Sequence, residues 1–164
     1  NAAIDMYADA DTMDNIKQRF GYVLEPIAAH ARSYFKPTLN PHTLNNRDRL
    51  TIGDVDIDVF VQDHGYCKTL GFRFGPIAYS TDVVEMPENA FKILGGVDTW
   101  IIGALIDQPH PTHAHVDKAL KWMERVGPRR GILTHMGFSL DYEVLKNRLP
   151  DYVEPAFDGM IIEA

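Results

Sequence analysis

The chain has 164 residues, of which 45% are apolar and 24% are charged, a size and balance typical of one globular domain with its own core. Its 23 acidic and 16 basic side chains give a net charge of -7, which disfavours a long nucleic-acid footprint because the field repels polyanions. The single cysteine, Cys67, excludes an internal disulfide and a cysteine-rich zinc site, and no apolar run is long enough to cross a bilayer. We therefore expect a cytoplasmic protein with no membrane partner, in one domain over residues 1–164.

The first part of the chain predicts one strand and one helix. Residues 4–8 are a short strand candidate, and two aspartates after them can cap a helix. Apolar residues at helical spacing predict that helix over residues 12–20, ending at Gly21. Prolines and turn formers interrupt residues 22–46, which favours an irregular loop with room for a short helix or strand. This loop could also serve as a lid or an oligomer contact.

The middle of the chain carries the strongest β signal. Residues 49–52 and 55–62 flank a Gly-Asp turn and predict a hairpin with one buried face and one mostly wet face. Residues 69–74 alternate again, and a Gly-Pro turn leads from them into residues 77–81. Such consecutive antiparallel strands would not occur in a purely parallel fold, so we expect a mixed sheet.

The second half alternates between helices and strands. The apolar run over residues 99–106 predicts a central strand covered on both faces. Together these patterns predict an α/β (α+β) fold with mixed sheets and flanking helices. The remaining predicted elements are a helix over residues 87–94, a helix with Thr112 as a possible N-cap that ends at Gly127, a strand over 131–134, a helix over 141–148, and short strands around 152–155 and 160–163.

Three predicted strands end in residues that metals accept as ligands. These residues are His64, Asp82 and His135, and in open sheets flanked by helices sites collect at the carboxyl ends of strands. Each also has a structural interpretation: a turn residue at His64, a helix cap at Asp82, and a hydrogen-bonded buried histidine at His135. The recurrence at three strand ends favours a metal site, in which a carboxylate can bridge two ions.

A histidine-rich segment, Pro109-His-Pro-Thr-His-Ala-His115, precedes the third predicted helix. A metal site within it is conceivable, but residues two apart at a helix start face different ways. In a second interpretation one histidine, His113 first among them, reaches into a site as a general acid or phosphate donor. In a third they are solvated loop histidines, and the residues alone leave these alternatives open.

The ordered motifs of this chain resemble those of the metallo-β-lactamase-fold hydrolases. Within that family the sequence is similar to the phosphodiesterase branch that includes the phosphoribosyl 1,2-cyclic phosphate phosphodiesterase of phosphonate utilisation and, more distantly, the tRNA 3′-processing nuclease. The resemblance implies part of an αβ/βα sandwich. The motifs that carry it are His64-Gly65 after a strand, Tyr79-Ser-Thr-Asp82, Pro-Thr-His-Ala-His before a helix, and Leu133-Thr-His-Met136 followed by Leu140-Asp-Tyr142.

The resemblance also implies a role for each candidate residue. His64 would ligate the first of two divalent metal ions, zinc or manganese, Asp82 would bridge both, and His135 would ligate the second. His113 matches the accessory catalytic histidine, with His115 as the alternative because the local alignment can slip. The family motif His-x-His-x-Asp-His does not occur in this sequence. We therefore expect the C-terminal part of a family member, which alone binds metal poorly and is inactive.

The implied activity is metal-dependent hydrolysis of a small (cyclic) phosphodiester or nucleotide. The acidic surface favours such a substrate over tRNA. The alternatives are a thioester or lactone hydrolase of the same fold and a non-catalytic scaffold or interaction domain. An incomplete sheet would expose an unpaired edge, so we also expect aggregation or a homodimer that forms through that edge.

Overall fold

The computed structural model describes residues 3–28 and 36–163, which fall in two units, Asn1–Asn45 and Asn46–Ala164. In the first unit β1 (Ile4–Ala8) pairs in parallel with β2 (Leu39–Thr43), and α1 (Ala10–Phe20) lies between them in the chain. The Asp9 carboxylate caps α1 by accepting from the Thr12 N–H at 3.0 Å. The region predicted as mostly loop contains β2 and a short 3-10 helix, Gly21–Val23, while its residues 29–35 lie outside the described part.

The second unit is built on one mixed sheet of seven strands. Neighbours are antiparallel from β3 to β6 and parallel from β6 to β9, as the predicted hairpins and central strand require. It follows that β4, β6, β7, β8 and β9 all run in the same direction. The strands, in their order across the sheet, are β3 (Arg49–Ile52), β4 (Val55–Asp63), β5 (Lys68–Phe74), β6 (Ile77–Ser80), β7 (Thr99–Gly103), β8 (Arg130–Thr134) and β9 (Val153–Pro155).

Three helices complete this unit, α2 (Glu88–Leu94), α3 (Val116–Val126) and α4 (Tyr142–Arg148). Helix α3 buries an apolar stripe, Val116, Ala119 and Met123, in the core cluster that includes Trp100 of β7. A Cβ on Gly131 would lie 2.5 Å from the Met123 sulfur, so the glycine allows α3 to pack closely on β8. No helix in the described ranges has the length and apolarity needed to span a membrane. This mixed α/β architecture agrees with the predicted fold class.

The predicted wet face of β4 is wrong at its carboxyl end. Phe60 and Gln62 are both fully buried there. Opposite Phe60 in the neighbouring strand is Gly71, and a Cβ at that position would overlap the Phe60 ring. The missing side chain at Gly71 therefore makes room for Phe60 in the core.

Other elements also differ from prediction, among them the central strand, which ends at Gly103 and not at residue 106. Helix α3 begins at Val116 with His115 as its N-cap residue, whereas Thr112 was expected to cap it. The Thr112 hydroxyl instead lies 2.7 Å from Nδ1 of His113, so it is engaged with imidazoles and not with a helix end. Residues 160–163 form no strand, because the turn closed by the Met160 N–H and the Phe157 carbonyl leads into a segment that pairs with no described strand.

Candidate metal centre

Three of the predicted site residues meet at one edge of the sheet. His64 follows β4 directly, Asp82 is the second residue after β6, and His135 follows β8 directly. Since these strands run in the same direction, their carboxyl ends lie along the same edge. Nε2 of His135 lies 3.5 Å from Oδ1 of Asp82, and Nε2 of His64 lies 3.9 Å from that atom. The topology of the sheet thus brings together three residues that are far apart in the sequence.

His113 joins this cluster from the loop that precedes α3. Its Nε2 lies 3.3 Å from Oδ1 of Asp82. Its ring meets that of His64 edge-on, with centroids 4.6 Å apart, and stacks on that of His135 at 5.1 Å. Three imidazole nitrogens therefore surround one carboxylate oxygen. Of the three histidines in the histidine-rich segment, His113 is the one that reaches into this cluster.

A backbone carbonyl fixes the orientation of His64. Nδ1 of His64 lies 2.7 Å from the Thr112 oxygen, and a carbonyl only accepts, so Nδ1 carries the hydrogen. The neutral ring then keeps its lone pair on Nε2, the nitrogen that faces Asp82. Gly65, at φ +85°, lets the loop approach, because a Cβ there would lie 2.6 Å from the Pro111 oxygen. The two loops are thus joined so that His64 presents a ligand nitrogen.

Two site residues have left-handed backbone conformations, which are unfavourable for residues that carry a Cβ. Asp82 has φ 53° and His135 has φ 58°, and among the described residues Arg47 is the other non-glycine residue with positive φ. Such conformations cost about 1–3 kcal/mol each and cluster at functional sites, where the surrounding structure imposes them. Their occurrence at two members of one cluster supports a functional interpretation of this edge.

The other histidines of the segment lie differently from His113. Nδ1 of His110 is 3.3 Å from Nδ1 of His113, on the side of that ring away from Asp82, so His110 stands behind the cluster. His115 caps α3 through its backbone, and within the described ranges its imidazole makes none of the ring contacts or hydrogen bonds of the cluster.

Burial is the largest influence on the pKa of His113, and it lowers that pKa. The hydrogen bond to Asp82 opposes the shift, while the nearby rings of His64 and His135 add to it, so the net pKa is below the usual 6.5. The neutral imidazole is therefore favoured, which is the form that ligates metals and accepts protons.

The donor set fits a divalent metal ion. One possible ligand atom from each of His64, Asp82 and His113 lies within 4.8 Å of the others, and His135 borders the same carboxylate. Imidazole nitrogen and carboxylate oxygen are the ligands that zinc and manganese accept. The division of these residues into metal ligands and a catalytic acid stays a prediction, as does the alternative role of His115.

Sequence reasoning missed the role of Thr112 beside the cluster. Thr112 orients two histidines, a role that depends on loop conformation and leaves no signal in the sequence. Tyr66 and Phe138 are 90% and 107% exposed on the loops that carry His64 and His135.

Known proteins share this fold. Residues 1–136 match the family model described as the beta-lactamase superfamily domain. Octanoyltransferase of Porphyromonas gingivalis (strain W83) is 22% identical over 158 residues, which are 94% of this chain and 31% of that protein. The crystal structure of a diphosphatase from the PhnP family superposes with a TM-score of 0.84 at 25% identity, over 97% of this chain and 57% of its own.

The short form of human tRNase Z superposes with a TM-score of 0.63 at 16% identity, over 99% of this chain and 68% of its own. The chain therefore spans less than a third of the octanoyltransferase and 57% of the diphosphatase. The family match extends over most of the sequence, and the mixed sheet and helices agree with those of the structural neighbours. This chain belongs to the family of the beta-lactamase superfamily domain and has the metallo-β-lactamase fold.

Proposed function

We propose that this chain forms part of a metal-dependent phosphodiesterase that acts on a small (cyclic) phosphodiester or nucleotide. The observation that carries the proposal is the convergence of three imidazole nitrogens on Oδ1 of Asp82. The similarity to a PhnP-family diphosphatase, at 25% identity, supports phosphoryl chemistry. The fold of the family is typical of metal-dependent hydrolysis, and the substrate is our inference.

We assign the ligand roles to His64, Asp82 and His135, which would hold two divalent ions, zinc or manganese, with Asp82 as the ligand common to both. When bound, such ions would supply positive charge that polarises a phosphoryl oxygen and lowers the pKa of water. The Thr112 carbonyl holds His64 with Nε2 turned to Asp82, and the Thr112 hydroxyl holds His113 by Nδ1. Nε2 of His113 faces the carboxylate, so we assign to the imidazolium form of His113 the proton transfer from Nε2 to the leaving oxygen. The lowered pKa makes this form a stronger acid, although the neutral ring predominates near neutral pH. His115 is the alternative for that step.

The substrate class follows from charge and exposed rings. Tyr66 and Phe138 are almost fully exposed on the loops that carry two of the assigned ligands, and aromatic side chains stack on planar rings at low conformational cost. This supports a substrate that carries a ring, such as a nucleotide. The net charge of -7 supports a small ligand over a long nucleic acid. A cytoplasmic location and a homodimer belong to the same proposal.

The test is hydrolysis of bis(p-nitrophenyl) phosphate by the natural full-length protein with Mn²⁺ or Zn²⁺. We expect metal-dependent cleavage that is lost in Asp82→Ala and His135→Ala. Asp158→Ala, which removes an exposed carboxylate of the turn after β9, is the matched control and should retain activity. A folded, metal-loaded protein that cleaves no phosphodiester would overturn the proposal.

The second candidate is a thioester or lactone hydrolase of the same fold. The name of the P. gingivalis relative, an octanoyltransferase, favours acyl chemistry, although this chain matches only 31% of that protein. Parallel assays on p-nitrophenyl acyl esters, thioesters and phosphodiesters separate the two activities by the ratio of kcat/KM values. A non-catalytic scaffold would instead contain no metal by elemental analysis and would be unaffected by His135→Ala.

A further inference from the structure

Gln62 and Thr69 form a directly opposed pair on β4 and β5, next to the cluster. The amide Nε2 of Gln62 donates to the Thr81 carbonyl and, at 3.2 Å, to the hydroxyl of Thr69. That hydroxyl donates in turn to the Asp82 carbonyl at 2.8 Å. Side chains of this pair therefore hold two consecutive carbonyls, those of Thr81 and Asp82.

The direction of each hydrogen bond in this pair is determined by chemistry. The Thr81 carbonyl only accepts, and the Thr69 hydroxyl gives its single hydrogen to the Asp82 carbonyl, so it accepts from Gln62. The amide nitrogen, with two hydrogens, is the only end of Gln62 that can make both bonds. Its Oε1 is then buried without a partner among the described atoms. Burying an amide oxygen in this way is unfavourable, so packing alone does not explain a glutamine here.

The segment that the pair holds contains the left-handed Asp82. A φ near +53° is unfavourable for a residue with a Cβ, although aspartate tolerates it better than most, so contacts around Asp82 help to hold it there. On the other side of Asp82, the Val83 carbonyl accepts from the Ala114 N–H at 2.6 Å, and the Val84 N–H donates to the Asp63 carbonyl at 2.7 Å. The backbone is therefore anchored both before and after Asp82.

We propose that Gln62 and Thr69 are positioning residues that hold Asp82 in its left-handed conformation, in which Oδ1 faces the three imidazoles. The inference rests on the proposed metal-dependent function, because the value of this geometry is the placement of a ligand. Gly71 contributes to the same arrangement by making room for Gln62. A Cβ there would lie 2.8 Å from Oε1 of Gln62, so the glycine leaves the space that this side chain occupies.

The test compares, in the natural full-length protein, Thr69→Val, which keeps the shape and removes the hydroxyl, with Thr69→Ser, which keeps the hydroxyl. Backbone chemical shifts and the amide–Hα coupling of Asp82 report its φ in the metal-free protein, and calorimetry with Mn²⁺ alone reports affinity. We expect Thr69→Val to shift Asp82 away from positive φ and to weaken Mn²⁺ binding about 10- to 100-fold, the usual effect of losing a group that orients a ligand. Thr69→Ser should resemble the wild type in both measurements.

Gln62→Met, which keeps the length of the side chain and removes the amide, is an independent variant should Thr69→Val fail to fold. Retention of positive φ at Asp82 in the folded Thr69→Val and Gln62→Met proteins would overturn the inference, and so would Mn²⁺ affinities equal to that of Thr69→Ser. A lower melting temperature with unchanged Asp82 φ and unchanged Mn²⁺ affinity would mean a merely structural role and would also overturn the inference. A natural full-length wild-type protein that binds no Mn²⁺ defeats the proposed function, whereas the conformation of Asp82 still decides this inference.

Discussion

Asp82 is the residue that the three histidines of the site share, because its Oδ1 lies within 3.9 Å of an imidazole nitrogen of each. Asp82→Asn keeps the size and removes the charge, so we expect Mn²⁺ affinity to fall at least about 10-fold. The melting temperature of the metal-free protein should change little, since asparagine tolerates positive φ. Calorimetry and thermal unfolding check this, with Asp158→Asn as the control. Unchanged Mn²⁺ affinity in Asp82→Asn would contradict the ligand role.

The exposed rings of Tyr66 and Phe138 predict a change in substrate binding. Stacking of one ring contributes about 1–3 kcal/mol, so Tyr66→Ala or Phe138→Ala should raise KM for an aromatic phosphodiester by about 5-fold or more. The value of kcat and the melting temperature should stay close to wild type, because neither ring is buried. Steady-state kinetics measure the split, and Ile161→Ala, another exposed apolar position, is the control. Equal KM in all variants would exclude a stacking role.

Residues such as His64, Asp82 and His135 could be selected from the sequence because each follows a recognisable apolar strand pattern. Their convergence could not be derived from spacing, since it depends on β4, β6 and β8 running in the same direction. The hydrogen bonds of Thr112 and Gln62 were also out of reach, because they depend on loop conformation and on contacts between strands.

Among the strands and helices, the contact between β4 and β5 depends on a missing side chain. Gly71→Ala would place a Cβ against the Phe60 ring, which is fully buried and cannot move aside easily. We expect a loss of about 1–3 kcal/mol in the free energy of unfolding, the usual effect of overpacking. Urea unfolding measures the loss. In the control, Gly95→Ala, the new Cβ would lie no closer than 3.4 Å to its neighbours, and a comparable loss there would contradict the explanation.

The elements themselves were predictable where one local pattern dominates. Alternation located β3 and β4, and helical spacing located the buried stripe of α3. Local pattern failed at Phe60, whose burial depends on the glycine of the neighbouring strand, and at the start of α3, where Thr112 bonds to histidines. Tertiary contacts decided both.

At the scale of the whole molecule, an ion pair makes the stability of the fold depend on pH in the acid range. It joins the loop between α2 and β7 to the loop between α3 and β8. Asp98 accepts from Nε and Nη2 of Arg129 at 2.8 and 3.0 Å, and the Arg129 hydrogen bonds lower the pKa of Asp98 below 3.8. A carboxyl whose folded pKa is lowered stabilises the fold above its unfolded pKa and loses that contribution as the pH falls through the folded value.

Asp98→Asn should therefore lower stability near neutral pH and reduce the further loss that acid causes in the wild type. Urea unfolding at about pH 7 and about pH 3 gives the free energy of unfolding at each pH, and the difference between them is the loss that acid causes. Asp158→Asn is the control, as an exposed carboxyl in a turn. The same acid loss in Asp98→Asn as in the wild type would show that the pair does not couple stability to pH.

The two edge strands of the seven-stranded sheet differ in their capacity to recruit another strand. β9 ends in Pro155, which has no N–H to donate, whereas β3 pairs only with β4 among the described strands and exposes 46% of Ile52. A sheet that can extend on one side only cannot polymerise by repeated addition. Two copies that meet β3 to β3 would close on themselves about a two-fold axis. Light scattering should therefore detect a dimer with no larger species, and Thr51→Pro in β3 should yield monomer.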